Sequence, residues 1–260
     1  MLCHLCSVIC HLLMPEILYG RRAVLECLRA NRRKSHRLLI AEGVKDAPIV
    51  RDLMALAGER KVAVTRAPRP TLDRISDHHQ GVALETSAYP YATIDEMLAL
   101  AAQRNEPPLL LILDTLQDPQ NFGNLIRAAE AVGAHGVVIP QRRSVAVTPA
   151  VVNASAGATE HLHIAHVVNL AREIEALKRH DLWIAALQDD PRAQALHASD
   201  LRGPLALIVG SEGEGVSRLL RERADYLLRL PMRGKIESLN ASVAGAVALY
   251  EILRQRMSRL

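Results

Sequence analysis

Leu205-Ala206-Leu207-Ile208-Val209-Gly210-Ser211-Glu212-Gly213-Glu214-Gly215 is the stretch on which the fold of this 260-residue chain turns. Five consecutive apolar residues read as a strand buried on both faces, as strands of parallel sheets are. The strand breaks into a glycine-flexible loop with Glu212 in its middle, which lets backbone amides approach a ligand. A helix follows, then a second strand ending Leu228-Arg229-Leu230-Pro231. The loop Met232-Arg233-Gly234-Lys235-Ile236 leads into Glu237-Ser238-Leu239-Asn240 and a long C-terminal helix. Two strand ends, each opening into a loop, predict one pocket, because ligands of open α/β sheets sit at the carboxyl ends of the strands.

The sequence upstream repeats this pattern. Leu109 to Leu113 is another continuous apolar run, ending in Asp114 and a polar loop through Pro119. Asn121 can cap a helix from Phe122 to Val132, and Asn121, Asn124 and Arg127, spaced by three, share a face of it. Gly136 to Ile139 is a strand, and Gln141-Arg142-Arg143-Ser144 after it is a loop with two cations. Thr148-Pro149 starts a helix rich in small residues. His161, His163 and His166 read as plain strand histidines, with no carboxylate pattern to support a metal. Asn169 to Arg179 is a helix, Leu182 to Leu187 a strand, and Asp189-Asp190 a solvated pair in the next loop. Alternating helices and very apolar strands argue for an α/β fold with a parallel sheet covered on both faces.

The first third reads as a smaller α/β module. Helical spacing over Gly20–Asn31 and Pro48–Arg60 alternates with strands at His36–Ile40, Lys61–Thr65 and Gly81–Glu85, and Pro70–Asp77 is a short helix. The expected organisation is a disordered leader over 1–14, a domain over 15–88, a linker over 89–107 and a second domain over 108–260. Charge is uneven: residues 15–92 carry 14 Lys/Arg against 9 Asp/Glu, and residues 93–260 carry 18 against 19. Arg21, Arg22, Arg29, Arg32, Arg33, Lys34 and Arg37 concentrate the excess, either as a solvated helix face or as a phosphate-contacting patch. Aromatic residues make up only 3%, so base stacking is not the main grip on a partner.

Several classes are excluded. Glu212 stands where a G-x-G-x-x-G fingerprint from Gly210 requires glycine, and no Gly-Lys-Ser/Thr or G-x-S-x-G motif exists. Cys3, Cys6 and Cys10 beside His4 and His11 lack the turn residues of a metal knuckle, and no signal-peptide pattern or membrane-length apolar run is present. Cys27 is the only other cysteine, which suits a reducing, cytoplasmic setting. Ala241, Ala244, Gly245 and Ala248 let the last helix pack closely, against either another helix of the chain or a partner subunit.

Three blocks carry a family resemblance. They are Asp118-Pro119-Gln120-Asn121-Phe122-Gly123-Asn124-Leu125-Ile126-Arg127, Ile208 through Gly215, and Leu230-Pro231-Met232 through Ser238-Leu239-Asn240-Ala241-Ser242-Val243. In this order and spacing they resemble the SPOUT RNA 2'-O-ribose methyltransferases of the TrmH/SpoU branch. Tyr19-Gly20-Arg21-Arg22-Ala23-Val24 and the pattern after it look like the L30e-like RNA-binding domain of the bacterial 23S rRNA guanosine-2'-O-methyltransferases. The resemblance covers residues 15–257.

It implies a trefoil-knotted C-terminal domain, a homodimer, and S-adenosyl-L-methionine held by Leu187, Gly210, Leu230, Met232 and Leu239. It places Asn121, Arg127, Glu212, Ser238 and Asn240 around the reacting ribose oxygen of a guanosine in 23S rRNA. A tRNA substrate and a non-catalytic RNA-binding knot are the alternatives. The chemistry is consistent with these residue types. A sulfonium methyl is already activated, so no metal is needed, and the protein must align it with the hydroxyl and help remove a proton. Arg127 is the family's candidate for activating the hydroxyl. Because guanidinium rarely gives up its proton, holding a phosphate or stabilising developing negative charge suits it equally. Glu212 is implied to orient Arg127 or to share proton handling, and Ser238 and Asn240 to position the ribose.

Overall fold

The computed structural model describes residues 15–235 and 238–258, so the leader and its cysteines lie outside the described residues. The chain forms two units. The first comprises the described residues up to Pro90 together with Val147–His161, and the second comprises Tyr91–Ala146 and the chain from Leu162 onward.

In the first unit, β1 (Glu16–Tyr19), α1 (Arg21–Ala30), β2 (Ser35–Ala41), α2 (Pro48–Glu59), β3 (Ala63–Ala67), α3 (Arg69–Asp73) and β4 (Val82–Thr86) build a sheet of order β1-β4-β2-β3. β2 and β3 are parallel and β4 is antiparallel to both its neighbours. α1 buries Val24, Leu25 and Leu28 as its spacing predicts, and ends on left-handed Asn31. β3 begins two residues later than expected. The end of α2 folds back on itself, with left-handed Lys61 donating to Gly58 O and Val62 to Ala57 O, so residues 61–62 close the helix. β1 carries no alternation strong enough to read from four residues.

In the second unit, Thr93 and Glu96 form a reciprocal capping box that starts α4 (Ile94–Arg104). β5 (Leu109–Leu113), α5 (Pro119–Ala131), β6 (Gly136–Pro140), α6 (Pro149–Ala154), β7 (Ile164–Val167), α7 (Leu170–Lys178), β8 (Trp183–Leu187), β9 (Gln194–Ala195), β10 (Leu205–Val209), α8 (Arg218–Arg223), β11 (Tyr226–Arg229) and α9 (Ala241–Met257) follow. Apart from α6, these build a parallel sheet of order β7-β6-β5-β10-β8-β11-β9. β10 is central, and all five of its residues are buried. Leu110, Ile112, Ala206 and Ile208 face a core completed by α4, α7 and α8. Val209, one residue on, points to the other face and lies against Gly245 of α9.

Gly245 is needed there, since a Cβ would also collide with Leu125 of α5. The small residues of α9 therefore pack against a helix of the same chain. At the far end of α9, half-buried Arg256 donates to the carbonyls of Pro107 (2.7 Å), Pro108 (3.0 Å) and Gly203 (2.7 Å), and loss of solvent pushes its guanidinium down to about 10. Among the described residues, no helix is long and apolar enough to cross a membrane.

α6 and the turn after it belong to the first unit, although they lie between β6 and β7 in sequence. Glu160, fully buried, receives Arg33 through Nε (3.0 Å) and Nη2 (2.8 Å), while Nη1 of Arg33 reaches Glu16 at 2.6 Å. The ring of Tyr89 lies 4.8 Å from the Arg33 guanidinium carbon, and its hydroxyl donates to Thr159 O. Arg33 is thus a buried structural cation and not part of a basic surface. Arg29 pairs with Glu26 and Arg37 with Glu85, which thins the expected patch further. The histidine reading also changes. His161 follows a 3-10 turn and bonds Glu26, His163 precedes β7, and only His166 lies in a strand.

Candidate active site

The site begins with a helix cap that differs from the expected one. Asp118, not Asn121, caps α5, accepting from the backbone of Gln120 (3.2 Å) and Asn121 (2.9 Å), with Pro119 in the first turn. The helix therefore starts before Phe122, and the Asn121 side chain is released for other bonds.

Those bonds join three distant parts of the sequence. Asn121 Nδ2 donates to Glu212 Oε1 at 2.9 Å. Asn240 Nδ2 donates to Asn121 Oδ1 at 2.9 Å and also to Glu212 Oε1. Asn240 is itself the cap of α9, its Oδ1 accepting from the backbone of Ser242 (2.9 Å) and Val243 (3.2 Å) and from the Ser242 hydroxyl (2.6 Å). Its side-chain donors and acceptor are all engaged. Glu212 Oε1 receives two amides, which leaves Oε2, without a hydrogen bond among the described residues, as a free acceptor.

The loop carrying Glu212 is held at its base from both sides. Val216 donates to Gln188 Oε1 at 2.9 Å, beyond the end of β8, and Ser217 donates to buried Asp114 at 2.8 Å, beyond the end of β5. Between these anchors Ser211 and Gly215 pair as an isolated bridge. Gly215 has φ 67°, and a Cβ on Gly210 would strike the Gly215 carbonyl and the Val216 nitrogen, so neither position admits a side chain without movement.

Beside this cluster lies a cavity of about 540 Å³ at the carboxyl ends of β8, β10 and β11. Leu187, Gly210, Leu230, Met232 and Leu239 all line it, and so do Glu212, Ser238 and Asn240. Asn121 reaches the cavity through its bonds to Glu212 and Asn240. Arg127 stands exposed on α5, with no hydrogen bond or ion pair among the described residues, and Glu212 is engaged with the two asparagines. Gln188, Asp189, Ser211 and Arg229 also line the cavity. Strand-end position was the available signal for them, but nothing in their residue types distinguished them from solvated loop residues. Asp190 is not solvated. It is largely covered, and hydrogen bonds from the Arg192 side chain and backbone hold its carboxyl well below the usual range.

The cavity has the size of a small-ligand site, with walls that mix apolar and polar side chains. The absent side chain at Gly213, with open space where a Cβ would stand, leaves backbone for a ligand to approach. Glu212 lines the cavity, and the second oxygen of its carboxylate can accept a hydrogen bond from a hydroxyl.

Residues 108–250 match the SpoU rRNA Methylase family, and residues 17–92 match the family described as RNA 2'-O ribose methyltransferase substrate binding. YacO of Bacillus subtilis, which carries the name of a TrmH family tRNA/rRNA methyltransferase, is 42% identical over 242 residues, spanning 93% of this chain and 96% of that protein. The 23S rRNA (guanosine-2'-O-)-methyltransferase RlmB of Pseudomonas syringae pv. tomato is 41% identical over 249 residues, 94% of this chain and 97% of that one. The crystal structure of the SpoU methyltransferase AviRb from Streptomyces viridochromogenes in complex with AdoMet superposes with a TM-score of 0.77 at 22% identity, covering 93% of this chain and 90% of that one.

Proposed function

Because the chain belongs to the SpoU rRNA methylase family of RNA 2'-O-ribose methyltransferases, we propose that it methylates the ribose 2'-OH of a guanosine in 23S rRNA, using S-adenosyl-L-methionine. The observation that carries this reading is the Asn121–Glu212–Asn240 cluster at the edge of a ligand-sized cavity. The residues fit the cofactor. Gly213 leaves its backbone open to a nucleoside, and Leu187, Leu230, Met232 and Leu239 offer apolar surface to a purine. When bound, the cofactor supplies an activated methyl group.

The chain's own residues then have distinct tasks. Glu212 Oε2 accepts the ribose hydroxyl and takes part in removing its proton. Asn121 and Asn240 hold that carboxylate by its other oxygen. With its donors engaged, Asn240 acts as a positioning residue, and Ser238 is left to contact the ribose. Arg127, exposed and without a partner among the described residues, binds a substrate phosphate or stabilises the charge developing on the oxygen.

The rRNA assignment rests on the substrate-binding unit and on the RlmB relative; YacO is named for both tRNA and rRNA. The reading includes a trefoil-knotted methyltransferase domain, a cytoplasmic location and a homodimer. Val243, Val247, Tyr250 and Met257 form an exposed stripe along α9 that a second copy would cover. The test is methyl transfer from labelled S-adenosyl-L-methionine to total RNA from cells lacking the protein, mapped by nuclease digestion. Label at a 2'-O-methylguanosine in 23S rRNA supports the proposal. Label in tRNA keeps the chemistry and overturns the substrate, and cofactor binding with no label in any RNA overturns both.

A further inference from the structure

The loop after β6 presents Arg142 and Arg143, both exposed and without a side-chain partner among the described residues. It is firmly held. Gln141 donates to Val167 O from its backbone (2.8 Å) and to His166 O from its side chain (3.1 Å). On the other side, the Ser144 hydroxyl (3.1 Å) and the Val145 backbone (2.9 Å) both donate to Leu116 O. Leu116 belongs to the loop that runs from β5 into Asp118 and Asn121. Arg143 has φ 61°, a left-handed conformation that an arginine seldom adopts and that this double tether maintains.

Strand order places the loop relative to the site. Along the carboxyl edge of the sheet the sequence is β6, β5, β10, β8, β11. The ligand cavity occupies the ends of β10, β8 and β11, and the Asn121 cluster sits at β5 and β10. The two arginines are therefore on the opposite side of the cluster from the cavity. The end of β6, from which they extend, lies two strand spacings from that of β10, roughly 10 Å. A polynucleotide whose ribose lies at Glu212 must continue away from the cofactor side, and this is where its backbone meets fixed positive charge.

We propose that Arg142 and Arg143 bind backbone phosphates of the RNA next to the target nucleotide and so set substrate affinity. Their two guanidinium groups suit phosphate oxygens, and phosphate contacts position a nucleic acid without reading its bases. The inference rests on the RNA-methylating reading above.

The experiment compares wild type with Arg142→Gln/Arg143→Asn, in which asparagine tolerates the left-handed backbone, and with Arg142→Lys/Arg143→Lys. Methylation kinetics and binding of a protein-free 23S rRNA transcript are followed at graded salt, with S-adenosyl-L-methionine binding measured by calorimetry. The neutral pair is expected to raise KM for RNA about tenfold or more, leave kcat within about threefold, and lower the salt slope by about 1.4, the value for two single-strand phosphates. Cofactor affinity should not change, and the lysine pair should recover most of the loss. Unchanged KM and slope in the neutral pair, with wild type active, overturn the phosphate assignment alone. Wild-type protein that binds cofactor but methylates no RNA overturns the underlying reading and this inference with it.

Discussion

The side-chain amide of Asn240 donates to Asn121 Oδ1 at 2.9 Å, so the cap of one helix and the first turn of another, helices that begin 122 positions apart in sequence, meet at one carboxylate. Asn240→Ala removes a helix cap and the clamp on Glu212 together. Cap loss costs about 1 kcal/mol, which thermal denaturation will register as a small fall in Tm. Methyl transfer should fall about 100-fold, a loss much larger than that stability change explains, and cofactor binding should survive. Near-normal turnover would remove Asn240 from the site.

Arg127→Ala should separate chemistry from folding in the opposite way. The residue is exposed, so stability should stay within about 0.5 kcal/mol of wild type by urea denaturation. Turnover should fall by about two orders of magnitude, as for a lost transition-state charge contact.

Gly210→Ala drives a methyl group into the backbone of Gly215 and Val216, which cannot rotate away. Overpacking of this kind costs about 1–3 kcal/mol. Displacement of the loop should weaken S-adenosyl-L-methionine binding at least about tenfold in calorimetry.

Breaking the Arg33–Glu160 pair should be the most damaging of these changes to stability. Arg33→Ala leaves a fully buried carboxylate uncompensated, at about 3–5 kcal/mol. The double change Arg33→Met with Glu160→Leu should cost less than either single removal, since apolar isosteres need no partner. Urea midpoints of all the variants decide the matter.

His135 gives stability a dependence on pH. Its Nδ1 accepts from Leu109 N at 3.0 Å, so its proton sits on Nε2, which meets Glu106 at 3.1 Å. Burial lowers the imidazole below its ordinary value near 6.5, despite the opposing pull of Glu106. Burial depresses His166 as well. The folded state therefore favours neutral histidine, and the unfolded chain binds more protons just below that value. Stability should be full above about pH 6.5 and fall as pH drops toward the lowered folded values. Urea midpoints between pH 8 and 5.5 should show this slope, and His135→Asn, which keeps an acceptor for Leu109, should flatten part of it.

The sheet strands of the second unit were legible because apolar runs such as Leu109–Leu113 and Leu205–Val209 have only one comfortable place, buried between helices. The three sequence blocks likewise pointed to Asn121, Glu212 and Asn240, which the fold brings into direct contact. The roles of individual polar residues were harder to read. Asn121 and Asp118 are both good caps, and only the backbone path shows that Asp118 takes the position. Arg33 belongs to a run of basic residues, and nothing local reveals that its partner is Glu160. Gln188, Asp189 and Arg229 enter the cavity because of strand register, a property of the whole sheet.

The Arg33–Glu160 pair also bears on how the protein is made. Glu160 is polymerised 127 residues after Arg33, which at about 5–20 residues per second is a delay of roughly 6–25 seconds on the ribosome. From the completion of β4 onward the earliest part of the nascent chain has its sheet strands and Glu16, but lacks the buried carboxylate that accepts from two of the three Arg33 nitrogens. Its final packing must wait until β5, α5 and β6 have also been translated, so the two units cannot mature strictly one after the other.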